Sequence, residues 1–494
     1  MPAPIGVAEL SAFAVYLVLL ALISLAAWRQ TRSLDDYALG GRRLGPTVAA
    51  LSAGASDMSG WLLLGLPGAV YLAGLSEAWI VVGLVIGAYL NWTLVAPRLR
   101  TMTRGKLGAR TLPQLFAQRF PARSRLLAAV ATAMVLVFFS LYTAAGFVAG
   151  AKLFEATLAI DYHSALLIGA AVIMAYTAAG GFLAVSWTDV LQGLLMMAAL
   201  VCVPLLVGAD LDAQTGQLTD QLDTHLLLLD GMGALGITSL LAWGLGYCGQ
   251  PHILARFMAM SEQASMSRAR AIGMSWMITS CAGALAVGLA GFAYAQLHGG
   301  PTDAEVIFIH LTQAMLSPWL AGFVLAAILA AVMSTIDSQL LVASTALTDD
   351  VIRPFRPATS DRTLMQLSRA AVVLVAGLGV WIAANPERGV LDLVSSAWAG
   401  LGATFGPALL ATLYLRQANS TAIIAGMLVG GGAVIIWPLA TGPWFEVYEL
   451  LPAFVASCAT IVLVSRFGNT EACAVAAFDR LSAARPSTSS SRSG

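Results

Sequence analysis

The chain has 494 residues, 59% of them hydrophobic and 11% charged, against about 25% charged in an ordinary soluble domain, and its mean hydropathy is +0.81. That composition excludes a soluble enzyme and a disordered chain. Twenty-six basic and 26 acidic side chains cancel, so no basic face exists to hold nucleic acid by counterion release.

Lipid offers no partner to an unpaired backbone amide or carbonyl, so a crossing helix needs about 20 apolar residues. Thirteen stretches meet that need: 7–27, 46–66, 77–95, 126–153, 165–178, 185–207, 231–258, 272–296, 317–347, 364–383, 391–415, 421–439 and 447–464. The first carries no basic residue before its apolar run and is followed by Trp28-Arg29, where signal cleavage would need small residues, so it reads as a retained helix. Arginine-rich segments follow spans 1, 3, 7 and 9 and fill the tail, while Lys152 and Arg388 alone fall on the other side. Short basic loops stay in the cytoplasm, which predicts an odd number of spans with the N-terminus outside and the C-terminus inside. The external connection 208–230 holds five aspartates and no lysine or arginine and reads as a solvated loop. The tail after Phe467 is short, ends in PSTSSSRSG and is expected to be disordered.

The five cysteines and five histidines are scattered, without the spacing of a zinc site or a disulfide framework. Chemistry concentrates where polar groups enter the apolar runs, because each costs about 2.5 to 3.5 kcal/mol on insertion scales. Asp57 sits in span 2 within SAGASDMSGW, a poor continuous helix. Span 7 carries Trp243-Gly244-Leu245-Gly246-Tyr247-Cys248-Gly249-Gln250-Pro251, where three glycines and a proline predict a second break. This stretch matches GxGxxG, but it follows no strand, so a dinucleotide site is not expected. Spans 2–6 and 7–11 each hold five helices and begin with the broken member, which predicts a five-plus-five inverted repeat with its binding site at the breaks. In span 9, Ser334, Asp337 and Ser338 share one helical face beside Thr335. Those hydroxyls with carbonyls freed by the span 2 break would suit a small hard cation such as sodium.

The stretches Asp36-Tyr37-Ala38-Leu39-Gly40-Gly41-Arg42, ALSAGASDMSGWLLLGLPGAVYLAG from Ala50, GGFLAVSWTDVLQG from Gly180, WGLGYCGQPHILARFMA from Trp243 and AVMSTIDSQLLVASTALTDD from Ala331 resemble the sodium/solute symporters over essentially the whole chain. The resemblance implies an all-α polytopic protein of the bacterial inner membrane with a LeuT-like core. Its segments would be 1–45, repeat 1 over 46–208, the external loop 209–230, repeat 2 over 231–416, spans 12 and 13 over 417–467, and a tail 468–494. It implies a sodium site on the carbonyls of Ala55, Met58 and Ala331 and the hydroxyls of Ser334 and Thr335, with Asp57 and Arg42 in coupling. Trp61, Tyr142, Trp243, Tyr247 and Gln250 fall at substrate positions, and the aromatic set favours L-proline, with another amino acid, pantothenate or a short carboxylate as alternatives. Asp189 with Asp337 and Ser338 matches a second cation site of some relatives. A transporter-like sensor is a rival reading, and no GxSxG elbow or His/Asp pair supports an intramembrane enzyme.

Overall fold

A backbone that must satisfy its own polar groups in lipid has helices as its simplest solution, and the computed structural model of this chain is all-helical among the residues it describes. These are 6–31, 33–104, 108–177, 181–212, 221–229, 231–261 and 264–483. Ten of the described helical stretches are long and apolar enough to cross a membrane, which makes this a multi-pass membrane protein. The principal helices are α1 Val7–Trp28, α2 Pro46–Asp57, α3 Gly60–Leu63, α4 Gly65–Ala73, α5 Ala78–Leu90, α6 Leu112–Arg119, α7 Ser124–Leu158, α8 Tyr162–Thr177 and α9 Phe182–Asp212. They continue as α10 Ala234–Leu241, α11 Pro251–Ala259, α12 Met266–His298, α13 Ile307–Met315, α14 Pro318–Ala346, α15 Asp361–Ala383, α16 Val390–Tyr414, α17 Ser420–Ile436, α18 Leu450–Phe467 and α19 Ala472–Ala483.

Burial separates centre from rim. The spans containing α14 and α16 are each 83% buried, whereas α1 is 28% buried and presents Val18, Leu22 and Leu25 outward, as a helix facing lipid tails does. α14 packs against α1, α2, α7 and α9, and α16 lies along the broken segment after α10. The central position of α14 therefore brings its hydroxyls against the end of α2.

The arginine-rich segments converge at one end, the basic face. There Arg42 Nη2 donates to Ala109 O at 2.7 Å, Arg104 donates to Met260 O, and Arg110 Nε meets Asp349 Oδ2 at 2.9 Å. At the opposite end, Lys152, the predicted exception, is held by Asp303 at 2.6 Å and Glu305 at 2.7 Å. Glu305 also accepts the Val390 and Leu391 amides at 2.9 and 3.0 Å, capping the positive end of α16 with a carboxylate.

Three of these principal helices stand where only loop or tail was expected: α6 on the basic face, α13 on the opposite face, and α19 beyond Phe467. The correction for α19 has a physical cause. Its Asp479 carboxylate takes both arms of Arg416 at 2.8 and 2.7 Å, and buried Arg119 donates to Ala474 O. Residues 484–494, with the serine-rich end, and 213–220 and 230 of the acidic loop lie outside the described residues.

Candidate functional site: two helix breaks and a hydroxyl-bearing span

α2 ends at Asp57 and the chain resumes as α3 at Gly60, with Met58 at φ −84°, ψ 77° and Ser59 extended. In a continuous helix the Ser59 amide would bond Ala55 O; here it turns to Asp57 O at 3.0 Å. The break carries two hydroxyl side chains that compete for backbone groups, and Ser59 accepts the Trp61 amide at 3.4 Å. Gly60 lets α3 approach its neighbour: a Cβ there would lie 2.6 Å from Ala149 Cβ.

The second break has a different form. α10 passes into a 3₁₀ stretch over Ala242–Gly249, Gln250 is extended at φ −92°, ψ 101°, and α11 starts on Pro251. Pro251 at the first helical position lacks an amide the old helix would need, so the helix restarts rather than continues. Both predicted interruptions are therefore present in the backbone.

Ser334 of α14 joins the first break. Its Oγ donates to Ala55 O at 2.8 Å and lies 3.1 Å from Ala331 O, which brings three of the five sodium oxygens suggested by the sequence into direct contact. Next to Ser334, Thr335 is 2% exposed and its Oγ1 has no hydrogen-bond partner. A buried hydroxyl without a partner is costly, and two carbonyls plus two hydroxyls suit a small hard cation. Met58 lies at the break itself, buried.

Asp57 links the two breaks. Its Oδ2 accepts from Tyr247 Oη at 2.5 Å, and its carbonyl accepts from Tyr142 Oη at 3.3 Å. The aromatic residues collect around it: Trp61 lies 6.0 Å from Trp243, which stacks on Tyr448 at 5.1 Å, while Tyr247 meets Trp398 edge-on at 5.1 Å. A narrow cavity beside them is lined by Ala53, Asp57, Met58, Asn91, Tyr247 and Trp276. Gln250 uses its amide nitrogen on Gly246 O and Trp398 O, both at 3.2 Å. It therefore supports the irregular backbone, with Oε1 left without a partner.

Trp398, Tyr448 and Asn91 were not singled out from the sequence. Asn91 Nδ2 holds Tyr247 O at 3.2 Å and Trp398 Nε1 holds Trp243 O at 2.8 Å. The one available signal was a polar Asn91 inside an apolar run.

Asp189 and Ser338 come together as the sequence suggested, but around the guanidinium of Arg256. The sequence reading counted Arg256, at the end of span 7, with the basic residues that follow that span, and this is a correction: it is 0% exposed, within α11, and contacts both Asp189 Oδ2 at 3.1 Å and Ser338 Oγ at 2.5 Å. Asp337 adds its charge to the field on Arg256.

Arg42 stands apart from the breaks, on the basic face. It adopts φ 55° after two glycines at φ 57° and 61°, a turn that non-glycine residues seldom enter. Burial pulls its pKa below the usual arginine value. The following Leu44 exchanges backbone hydrogen bonds with Ala259 O at 3.1 Å and the Ser261 amide at 2.9 Å, so this turn is tied to the end of α11.

Comparison with known proteins identifies the family and the fold. The profile of the sodium:solute symporter family matches residues 37–430. The chain is 47% identical over 476 residues to the sodium/proline symporter of Escherichia coli (strain K12), covering 94% of each. It is 45% identical over 458 residues to the osmoregulated proline transporter OpuE of Bacillus subtilis (strain 168), covering 91% of this chain and 93% of the relative. Among solved structures, a Na+-coupled sialic acid symporter in its substrate-bound outward-open state superposes with a TM-score of 0.78 at 17% identity, covering 94% of this chain and 99% of that one. MHP1, a nucleobase-cation-symport-1 family transporter in a closed conformation, gives 0.53 at 15% identity, over 89% and 97%. At such identities these two likenesses concern the fold.

Proposed function

Because this chain belongs to the sodium:solute symporter family, we propose that it carries L-proline into the cell on an inward sodium gradient, by alternating access. The single observation that carries the reading is the contact of Ser334 Oγ with Ala55 O across the break in α2. One hydroxyl proton serves that contact. When sodium enters, the proton turns to Ala331 O, 3.1 Å away, and Ala55 O and Ser334 Oγ both direct lone pairs at the ion. The Met58 carbonyl and Thr335 Oγ1, which has no protein partner, complete the set.

Asp57 holds no direct place in that shell. Its carboxylate receives the Tyr247 hydroxyl from the second break, so a cation bound at the first break acts on the wall of the substrate pocket. Trp61, Trp243 and Tyr142 supply apolar faces for a pyrrolidine ring, and the half-helix ends offer dipoles for the carboxylate and the ammonium. Reciprocity then requires sodium to tighten proline binding by the same factor that proline tightens sodium.

The finer architecture belongs to the same proposal. Spans 2–6 and 7–11 form two inverted five-helix repeats within thirteen spans of a bacterial inner membrane, with the N-terminus outside and the basic face in the cytoplasm. The clustering of Arg42, Arg104 and Arg110 at one end supports that orientation. Radiolabelled proline uptake into proteoliposomes tests the whole reading: uptake should follow an imposed inward sodium gradient and collapse without it. Uptake of pantothenate or a short carboxylate in place of proline would retain the symport chemistry and replace the substrate.

A further inference from the structure

Arg256 is buried to 0% together with Ser52, Asp189, His252 and Ser338. Its Nε donates to Ser52 Oγ at 3.0 Å and Nη1 to His252 O at 2.9 Å. Its Nη2 reaches both Asp189 Oδ2 at 3.1 Å and Ser338 Oγ at 2.5 Å, and the guanidinium lies 5.0 Å from the Phe182 ring centroid. Ser52 itself donates to Asp189 Oδ2 at 2.6 Å. Four helices, α2, α9, α11 and α14, thus meet on one cation. Without the guanidinium there remain a carboxylate, two hydroxyls and a main-chain carbonyl, all buried and aimed at one point, with the charge of Asp337 nearby. That is an oxygen set for an alkali ion, carrying negative charge that burial does not allow to stand alone.

Resting on the symport reading, we propose that Arg256 is a resident cation, occupying from within the protein a site that would otherwise take a second alkali ion, and so holding the cycle to one sodium per proline. A tethered guanidinium never leaves, so it neutralises Asp189 in every state without being transported. The site communicates with the sodium oxygens through one helical turn, since Ser338 Oγ donates to Ser334 O at 2.7 Å. Arg256 is a positioning residue in this scheme, since it touches neither the sodium oxygens nor the aromatic pocket.

The test uses the full chain and two readouts: ²²Na⁺ sites per purified chain, and the ratio of ²²Na⁺ to proline flux in proteoliposomes. The wild type should give one and one. Arg256→Ala should bind about two sodium ions and raise the flux ratio toward two, whereas Arg256→Lys, which keeps a cation, should stay at one. Adding Asp189→Asn to Arg256→Ala removes the site's carboxylate ligand and should return both values to one. One site and one-to-one flux in Arg256→Ala, or two sites in the double variant, would overturn the proposal. Should Arg256→Ala not insert, Asp189→Asn alone decides: an unopposed guanidinium one turn from the sodium oxygens should weaken sodium binding about tenfold or more, and unchanged sodium affinity sinks the idea. A wild type that takes up proline without sodium refutes the symport reading, while one-to-one coupling in both wild type and Arg256→Ala removes only the resident cation.

Discussion

Asp57 accepts a 2.5 Å hydrogen bond from Tyr247 and receives Tyr142 on its carbonyl, so its charge is the part an isosteric amide removes. Asp57→Asn should therefore insert normally yet lose sodium-driven uptake; normal proline accumulation by that variant would detach the carboxylate from coupling. In the proposed sodium site, Ser334 and Thr335 would act on the ion itself. Removing both hydroxyls deletes two oxygen ligands, each worth roughly 1.5 to 3 kcal/mol as a bond to a charged group, so half-saturating sodium should rise by about a hundredfold or more in Ser334→Ala/Thr335→Ala. A sodium titration of uptake at fixed proline reads this, and an unshifted curve would place the ion elsewhere. Ser334 was legible from spacing alone because hydroxyls three and four apart share a helical face. The neighbours of Gln250 were not: its amide nitrogen meets Trp398 O, 148 positions away in the chain, and no local pattern encodes that.

At the scale of elements, both interruptions could be read in advance because their causes are local. A cluster of small and hydroxyl residues around an aspartate weakens one helix, and three glycines before Pro251 stop another. The partners of charged residues at helix ends are not local. Arg256 follows an apolar run and looks like a loop cation, while packing of α11 against α2 and α14 encloses it. Lys152 is a parallel case near the far end of α7. Its ammonium, 10% exposed, joins α7 to Asp303 and Glu305 before α13, and Glu305 caps α16. With Asp303 45% exposed, removing the cation costs less than in a fully buried pair, on the order of 2 kcal/mol. Lys152→Met should lower the thermal midpoint in detergent by several degrees, with the loss reduced when Glu305→Gln is added. Equal midpoints in wild type and Lys152→Met would show that the clamp contributes nothing.

Across the whole molecule, the tail helix α19 shows how a short segment, too short to cross a membrane, is ordered by a body formed without it. Arg416 holds the Asp479 carboxyl below its usual range, and Asp479 in return raises Arg416. Since the folded-state pKa of Asp479 is depressed, its contribution is present above the ordinary carboxylate value and is lost as pH falls through the lowered one. Acidification below about pH 4 should release α19 and raise the mobility of a spin label attached beforehand at Cys473, which lies exposed on this helix. Label mobility unchanged down to that range would assign the docking to Arg119 and Phe478 alone.

Length, hydropathy and basic-residue placement already dictated a polytopic helical protein, and glycine, proline and serine clusters dictated where two helices stop, because helix formation and interruption depend on residues a few positions apart. Tertiary packing decided which cation answers Asp189, which aromatic rings complete the wall beside Asp57, and that part of the tail is ordered. Those outcomes join groups such as Tyr247 and Asp57, 190 positions apart, and only the folded arrangement of helices brings such groups within reach of one another.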